Sequence, residues 1–341
     1  MDENIRPKQL KQILNSWVKS PERLKKRSIM LWGQPGIGKS DIVKSIAKEN
    51  NMDFIDLRLL LFDPTDLKGM YGIREDKLVW LKPPMLPTKN GGGILFLDEL
   101  TSAPPTVQGA AYQLVLDRKC GEYELPDNWV IIAASNNLED KSLVYSMPTA
   151  LLNRFVHYTL KTDFDDWKEW AMENEVHKDV ISFLNWKKGH VLMTFDPKVN
   201  VKAFATPRSW EFVSDILYTA MSREQKVSSI IGAVGVGPAL EFEGYLKIAA
   251  DLPNVEQILI DEEDIVPEEM SAKHAICGSI LTYVQKNKKY VDRMLQYSFK
   301  LPEEFAVLLV KDALRTKLKK HIIESDAFDK WQDHFVKLLR L

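Results

Sequence analysis

The rhythm of apolar positions changes near residue 161. Before that point, short unbroken apolar runs alternate with segments of helical periodicity. Leu10, Ile13, Leu14 and Val18 recur at helical spacing and predict an amphipathic helix over 8–19. Residues 28–32 form a strand-like apolar run. Residues 39–49 carry Ile42, Val43, Ile46 and Ala47 on one helical face, and 52–59 reads as a second strand. Unbroken runs at 94–97, 130–134 and 156–160 predict buried strands, with a helix over 106–116 behind Pro104-Pro105. Two hairpins are expected, one turning over 74–77 and one turning at Gly121. Runs without polar alternation suit strands covered on both faces, so the order predicts a parallel sheet between helical layers, an αβα sandwich.

Beyond Lys161 the strand signal fades. Helices are predicted over 163–174, 207–220, 239–250, 271–287, 302–318 and 326–341. Trp167 and Trp170 read as core anchors; Phe305, Leu308, Leu309 and Ala313 form a face for the core or for a partner. Boundaries are expected near Lys161 and within 227–238, where Gly232, Gly235 and Gly237 punctuate the chain. The expected domains are 1–161, 162–230 and 231–341.

At 341 residues and 45% apolar content the chain can build more than one core. A net charge of −2 gives no general attraction to nucleic acid or to anionic membrane. The cluster Arg23, Lys25, Lys26 and Arg27 lacks interleaved aromatics and reads as a solvated connector. Cys120 and Cys277 are too few for a disulfide framework, the first residues are polar, and no run of about 18 apolar residues occurs. These features point to a cytoplasmic protein with no membrane span.

Chemistry concentrates in two segments. Gly33-Gln34-Pro35-Gly36-Ile37-Gly38-Lys39-Ser40 is G-x-x-x-x-G-K-S between a predicted strand and helix. In such a loop, glycines let backbone N–H groups converge on phosphates, a lysine reaches the β and γ groups, and a serine hydroxyl ligates Mg²⁺. The run 94–97 ends at Asp98-Glu99, a carboxylate pair suited to holding Mg²⁺ and activating water, or to capping the helix that follows. Asn136, closing the next buried strand, offers a neutral amide to the γ-phosphate and water, or serves as a turn residue. Arg154 and Arg208 are either solvated surface cations or stabilisers of a transferring phosphoryl group.

The order of these motifs resembles the AAA+ ATPases, and specifically their MoxR branch. Gly33 to Ser40 match Walker A and Leu95 to Glu99 match Walker B. Asn136 matches sensor 1, Arg154 the arginine finger in an L-x-R-F context, and Arg208 sensor 2 in a T-P-R context. Asp66-Leu67-Lys68-Gly69 before the first hairpin resembles the family's insert within helix two, and 118–125 its hairpin before sensor 1. The C-terminal portion resembles a subgroup of bacteria and phages, often encoded beside a von Willebrand factor A-like or metallopeptidase-like protein.

The resemblance implies a P-loop NTPase fold followed by a helical lid and a helical C-terminal region. It implies ATP and Mg²⁺ at the interfaces of a homo-hexamer, with Arg154 reaching a neighbour's site, and a remodelling role on a protein client. Asn137 stands where the family usually has proline, and Asn153 where it usually has aspartate. A nucleic-acid motor and a small-molecule kinase are the alternative classes. The first is disfavoured by the charge. A kinase would have little use for the acidic pair together with an arginine from another subunit.

Overall fold

The unbroken apolar runs become the middle of a parallel sheet of six strands. The structure is a computed structural model that describes residues 4–20, 26–88, 91–137, 145–261 and 263–339. Its first unit comprises residues 1–163 and 196–200, its second residues 164–195 and 201–341. The first begins β1 (Asn4–Ile5), α1 (Pro7–Val18), β2 (Ser28–Trp32), α2 (Lys39–Glu49), β3 (Asp53–Arg58), α3 (Pro64–Lys68), β4 (Met70–Arg74) and β5 (Lys77–Leu81). It continues β6 (Gly93–Asp98), α4 (Pro105–Asp117), β7 (Lys119–Cys120), β8 (Tyr123–Glu124), β9 (Trp129–Ser135), α5 (Thr149–Leu152) and β10 (Phe155–Leu160). The sheet order is β1-β10-β2-β9-β6-β3.

Met30, Leu95, Leu97, Ile131 and Ala133 point to one face of the sheet and pack with Val107, Ala110, Ala111 and Leu114 of α4. Alternate residues of the same strands, Ile29, Leu31, Phe96, Ile132 and Ala134, are equally buried. With both faces covered, polar atoms are confined to the strand ends, and the chemistry collects there. Strand β1 escaped the sequence reading because two residues carry no period; it pairs through Asn4↔Thr159 and Ile5↔Leu160. The first hairpin is tighter than expected. Arg74 pairs with Lys77, leaving Glu75 and Asp76 as the whole turn at φ 52° and 54°, a conformation that asparagine and glycine usually supply. In the second hairpin, Gly121 at φ 59° admits Trp80, since a Cβ there would come within 2.9 Å of that ring.

The second unit is helical: α6 (Phe164–Glu173), α7 (Lys178–Trp186), α8 (Pro207–Tyr218), α9 (Arg223–Val234), α10 (Val236–Ala250), α11 (Val255–Leu259), α12 (Met270–Lys286), α13 (Val291–Ser298), α14 (Glu303–Leu314), α15 (Lys319–Ile323) and α16 (Asp326–Leu339). Phe183 of α7 packs its ring against Trp210 at 5.5 Å and Phe242 at 5.1 Å. Phe305, Leu309 and Ala313 are buried in this unit, so that face serves the core. The break expected near residue 230 falls inside α9, and the chain on both sides of it belongs to one unit. The physical reason is that α9 buries Ile230 and Val234 and tolerates Gly232; only Gly235, at φ 84°, ends it. Helices α7, α9, α11, α13 and α15 were absent from the sequence reading. Among the described residues, no helix is long and apolar enough to cross a membrane.

Candidate functional site

The phosphate-loop segment folds as a turn between β2 and α2. Gly33, at φ 157°, has no room for a side chain: a Cβ would come within 2.5 Å of Ile37 and 2.9 Å of the Leu160 carbonyl. Gly38, at φ 90°, is the opposite case, with nothing within 4 Å of where its Cβ would project. Gly38 also leads α2 without any side-chain cap. No side chain caps the first N–H groups of the helix, the arrangement that receives an anion.

Lys39, the first residue of α2, is only 8% exposed. Its Nζ donates to the carbonyls of Gly33 at 2.7 Å and Gln34 at 3.1 Å, and to Asn136 Oδ1 at 3.0 Å. The Ser40 hydroxyl donates to Asp98 Oδ2 at 3.2 Å, and the Glu99 N–H donates to Asp98 Oδ1 at 3.0 Å. The parallel pairing β2–β9–β6 explains the convergence. It sets the ends of three strands side by side, so residues 33–40, 136 and 98–99 meet at one edge.

These residues fit Mg²⁺ and a triphosphate. Two ligands on adjacent corners of a Mg²⁺ octahedron with arms of about 2.1 Å sit about 3 Å apart, close to the spacing of the Ser40 and Asp98 oxygens. The open cradle at Gly38 and the uncapped helix end beside a cation supply the anion side.

Glu99 takes a left-handed backbone, φ 56°, at a cost of about 1–2 kcal/mol for an L residue. The turn is braced behind it. Its carbonyl accepts from Ser102 N and Ala103 N, Thr101 N donates to Ser135 Oγ at 3.0 Å, and Gln108 Nε2 donates to the Thr101 and Ala103 carbonyls. Ser135 and buried Gln108 were missed by the sequence reading, and their signal was there: each is a polar residue in an apolar run. Asp56 was missed as well. Burial and then the negative charges of Asp98 and Glu99 hold its carboxyl above the usual range, against Arg58 and Lys44. It is a third acid near the pair.

Neither arginine is brought into that cluster by a hydrogen bond among the described residues, and Arg208 belongs to the second unit. Arg154 is exposed on the turn after α5, and its guanidinium makes no hydrogen bond or ion pair among the described residues. Arg208 is exposed in the first turn of α8, which Thr206 caps by accepting from Ser209 N at 3.0 Å. Of the basic cluster, Arg23 and Lys25 lie outside the described residues, while Lys26 pairs with Asp127 at 3.0 Å.

Residues 28–155 match the sequence model of the AAA domain, dynein-related subfamily. Midasin of Giardia intestinalis is 29% identical over 154 residues, covering 41% of this chain and 3% of midasin. Uncharacterized protein YeaC of Bacillus subtilis (strain 168) is 25% identical over 190 residues, covering 53% of this chain and 54% of YeaC. The chain thus spans less than two thirds of either relative. The RuvB Holliday junction branch migration motor of Thermotoga maritima is 16% identical, covering 80% of this chain and 81% of that one, with a TM-score of 0.40. The first unit therefore has the parallel-sheet fold of a P-loop domain, and over residues 28–155 it resembles the AAA domain.

Proposed function

We propose that this chain is a Mg²⁺-dependent ATPase of MoxR type that acts as a ring, a homo-hexamer by family resemblance, and remodels a protein client in the cytoplasm. The observation that carries the reading is the junction of Lys39 with Asn136 and of Ser40 with Asp98, which unites three strand ends in one polar site. Lys39 and the open end of α2 balance the charge of the phosphate oxygens. Ser40 and Asp98 would hold Mg²⁺, which polarises the phosphoryl oxygens when bound. Glu99 takes the proton of the attacking water, a role worth about 10²–10⁴ in rate, and Asn136 orients that water without neutralising Glu99.

Arg154, exposed and with no guanidinium partner among the described residues, is assigned to the neighbouring subunit's site. An arginine in that role is worth about 10³–10⁵ in turnover. Arg208 is assigned to the γ-phosphate of its own chain on its T-P-R context. The first hairpin supports a client role, since Tyr71, Ile73 and Leu78 are 65%, 79% and 70% exposed, too apolar to face water without purpose. A von Willebrand factor A-like or metallopeptidase-like protein is the proposed partner.

Mixing variants tests the shared site. Arg154→Ala and Glu99→Gln chains, each inactive alone, should recover turnover when combined, because some sites then pair an intact Glu99 with an intact Arg154. No recovery at any ratio removes the trans arginine. Glu99→Gln chains should also retain ATP and co-purify the client.

A further inference from the structure

Among the described residues the His157 ring has two hydrogen-bond partners, and they lie at two parts of the machinery that the sequence keeps far apart. It sits on β10, where Thr159 pairs with Trp32 and His157 with Met30, so His157 and Trp32 share one sheet face as diagonal neighbours. Trp32 is the last residue of β2 and directly precedes Gly33. Its indole Nε1 donates to His157 Nδ1 at 2.9 Å, and the rings stack at 6.1 Å with an interplanar angle of 16°. An indole only donates, so Nδ1 must be the acceptor, and the neutral imidazole then carries its proton on Nε2. Nε2 lies 2.8 Å from the carbonyl of Leu152. The indole thus fixes the tautomer that the second bond needs.

Leu152 ends α5, a single turn, where carbonyls lack partners further along the helix. Two residues later comes Arg154. The backbone around it is held by Asn153 N to Thr149 O at 3.1 Å and Arg154 N to Leu151 O at 3.0 Å, and it is flanked by buried Leu151 and Phe155. The imidazole closes the last side of this frame.

We propose that His157 is a positioning residue: it sets the backbone from which Arg154 reaches the neighbouring subunit, and it ties that backbone to the residue that opens the subunit's own phosphate loop. The proposal rests on the reading that Arg154 acts in trans. A chain of contacts from Trp32 through His157 to Leu152 makes each subunit's finger answer to its own nucleotide loop.

The test dilutes wild-type chains into an excess of chains carrying Glu99→Gln, so that hydrolysis occurs in wild-type sites facing a variant's finger. Replacing the excess chain by Glu99→Gln/His157→Phe should lower kcat per wild-type chain about tenfold, with KM for ATP within about twofold. The ATP affinity of the double variant itself should stay unchanged. Glu99→Gln/His157→Gln should restore kcat, because one amide can accept from the indole and donate to Leu152 across about the same span as the two ring nitrogens. Glu99→Gln/Arg154→Ala is the reference. If it lowers kcat while the His157→Phe chain does not, the positioning role is overturned. If Arg154→Ala has no effect either, the trans arginine itself is wrong. A loss in KM with kcat intact, or no rescue by glutamine, would mark His157 as a structural residue only.

Discussion

The two units place their polar groups in opposite ways. In the α/β unit Lys39 is the one buried charged residue among those described, and it meets Asn136 beside Ser40 and Asp98 at the open ends of strands. In the helical unit, charge lies deep inside. Lys168 and Asp312 pair at 2.7 Å with side chains only 3% and 9% exposed, and Lys168 also donates to Asn185 at 3.1 Å. The first arrangement can exchange its partners for a ligand. The second has nothing to exchange, so its polar groups should govern stability, with no share in nucleotide affinity.

The largest expected effect tests the first half of that contrast. Lys39→Ala should weaken ATP binding by about a hundredfold or more, equivalent to ~2.7 kcal/mol, while the unfolding midpoint moves little. Calorimetric titration beside a melting curve separates the two. A variant that binds ATP normally would end the reading of the loop, and one that melts early would make Lys39 a structural lysine.

The counterpart is Asp312→Ala. Removing one member of a buried pair strands the other charge, at a cost of about 3–5 kcal/mol. Urea unfolding should show that loss, and ATP affinity per folded molecule should not change. The double variant Lys168→Met/Asp312→Leu should recover most of the stability, because an apolar pair of similar volume has no charge to bury. If the double variant is as unstable as the single one, the pair holds something more than itself.

This contrast also explains what could be read from the chain alone. Lys39, Ser40, Asp98 and Asn136 stood out in the sequence as polar residue types at fixed spacing, and strand order brings them together. Helix α7 was not legible. Its apolar residues Val180, Phe183 and Leu184 gain meaning only against Trp210 and Phe242, which lie far along the sequence. Asp312 was equally opaque, since nothing local marks a carboxylate whose lysine lies more than a hundred residues away. Ser135 falls between these cases: its polarity at the end of β9 was visible, but its partner Thr101 was not.

The helical unit should also respond to acid. His274 packs edge-on against Phe305 at 4.9 Å, and its Nδ1 is buried without a hydrogen-bond partner among the described residues. Burial first, then the charges of Lys168 and Lys188, lower its pKa to about 4. A base that is harder to protonate when folded stabilises the protein fully above its unfolded value of about 6.5 and loses that contribution as pH falls toward 4. Between pH 7 and 5 the loss should be about 2 kcal/mol by urea unfolding, and His274→Leu should flatten that part of the profile. An unchanged profile in the variant would move the acid sensitivity elsewhere.

The smallest effect probes a helix that local pattern should have revealed. Helix α9 opens with a capping box: Ser222 Oγ accepts from Gln225 N at 3.3 Å, and Gln225 Oε1 accepts from Ser222 N at 2.9 Å. The signature S-x-x-Q was present in the sequence, yet Gly232, Gly235 and Gly237 argued for a break. Two satisfied N–H groups at the start, with Ile230 and Val234 buried near the end, outweigh about 1 kcal/mol for one glycine within a helix. Ser222→Ala should therefore cost about 1 kcal/mol, and Ser222→Gly only a few tenths. Gly232→Ala should gain up to about 1 kcal/mol, because nothing lies within 4 Å of the added methyl. If Ser222→Ala is neutral while Gly232→Ala still stabilises, α9 is held by its buried face alone, and the cap that might have announced it contributes nothing to its formation.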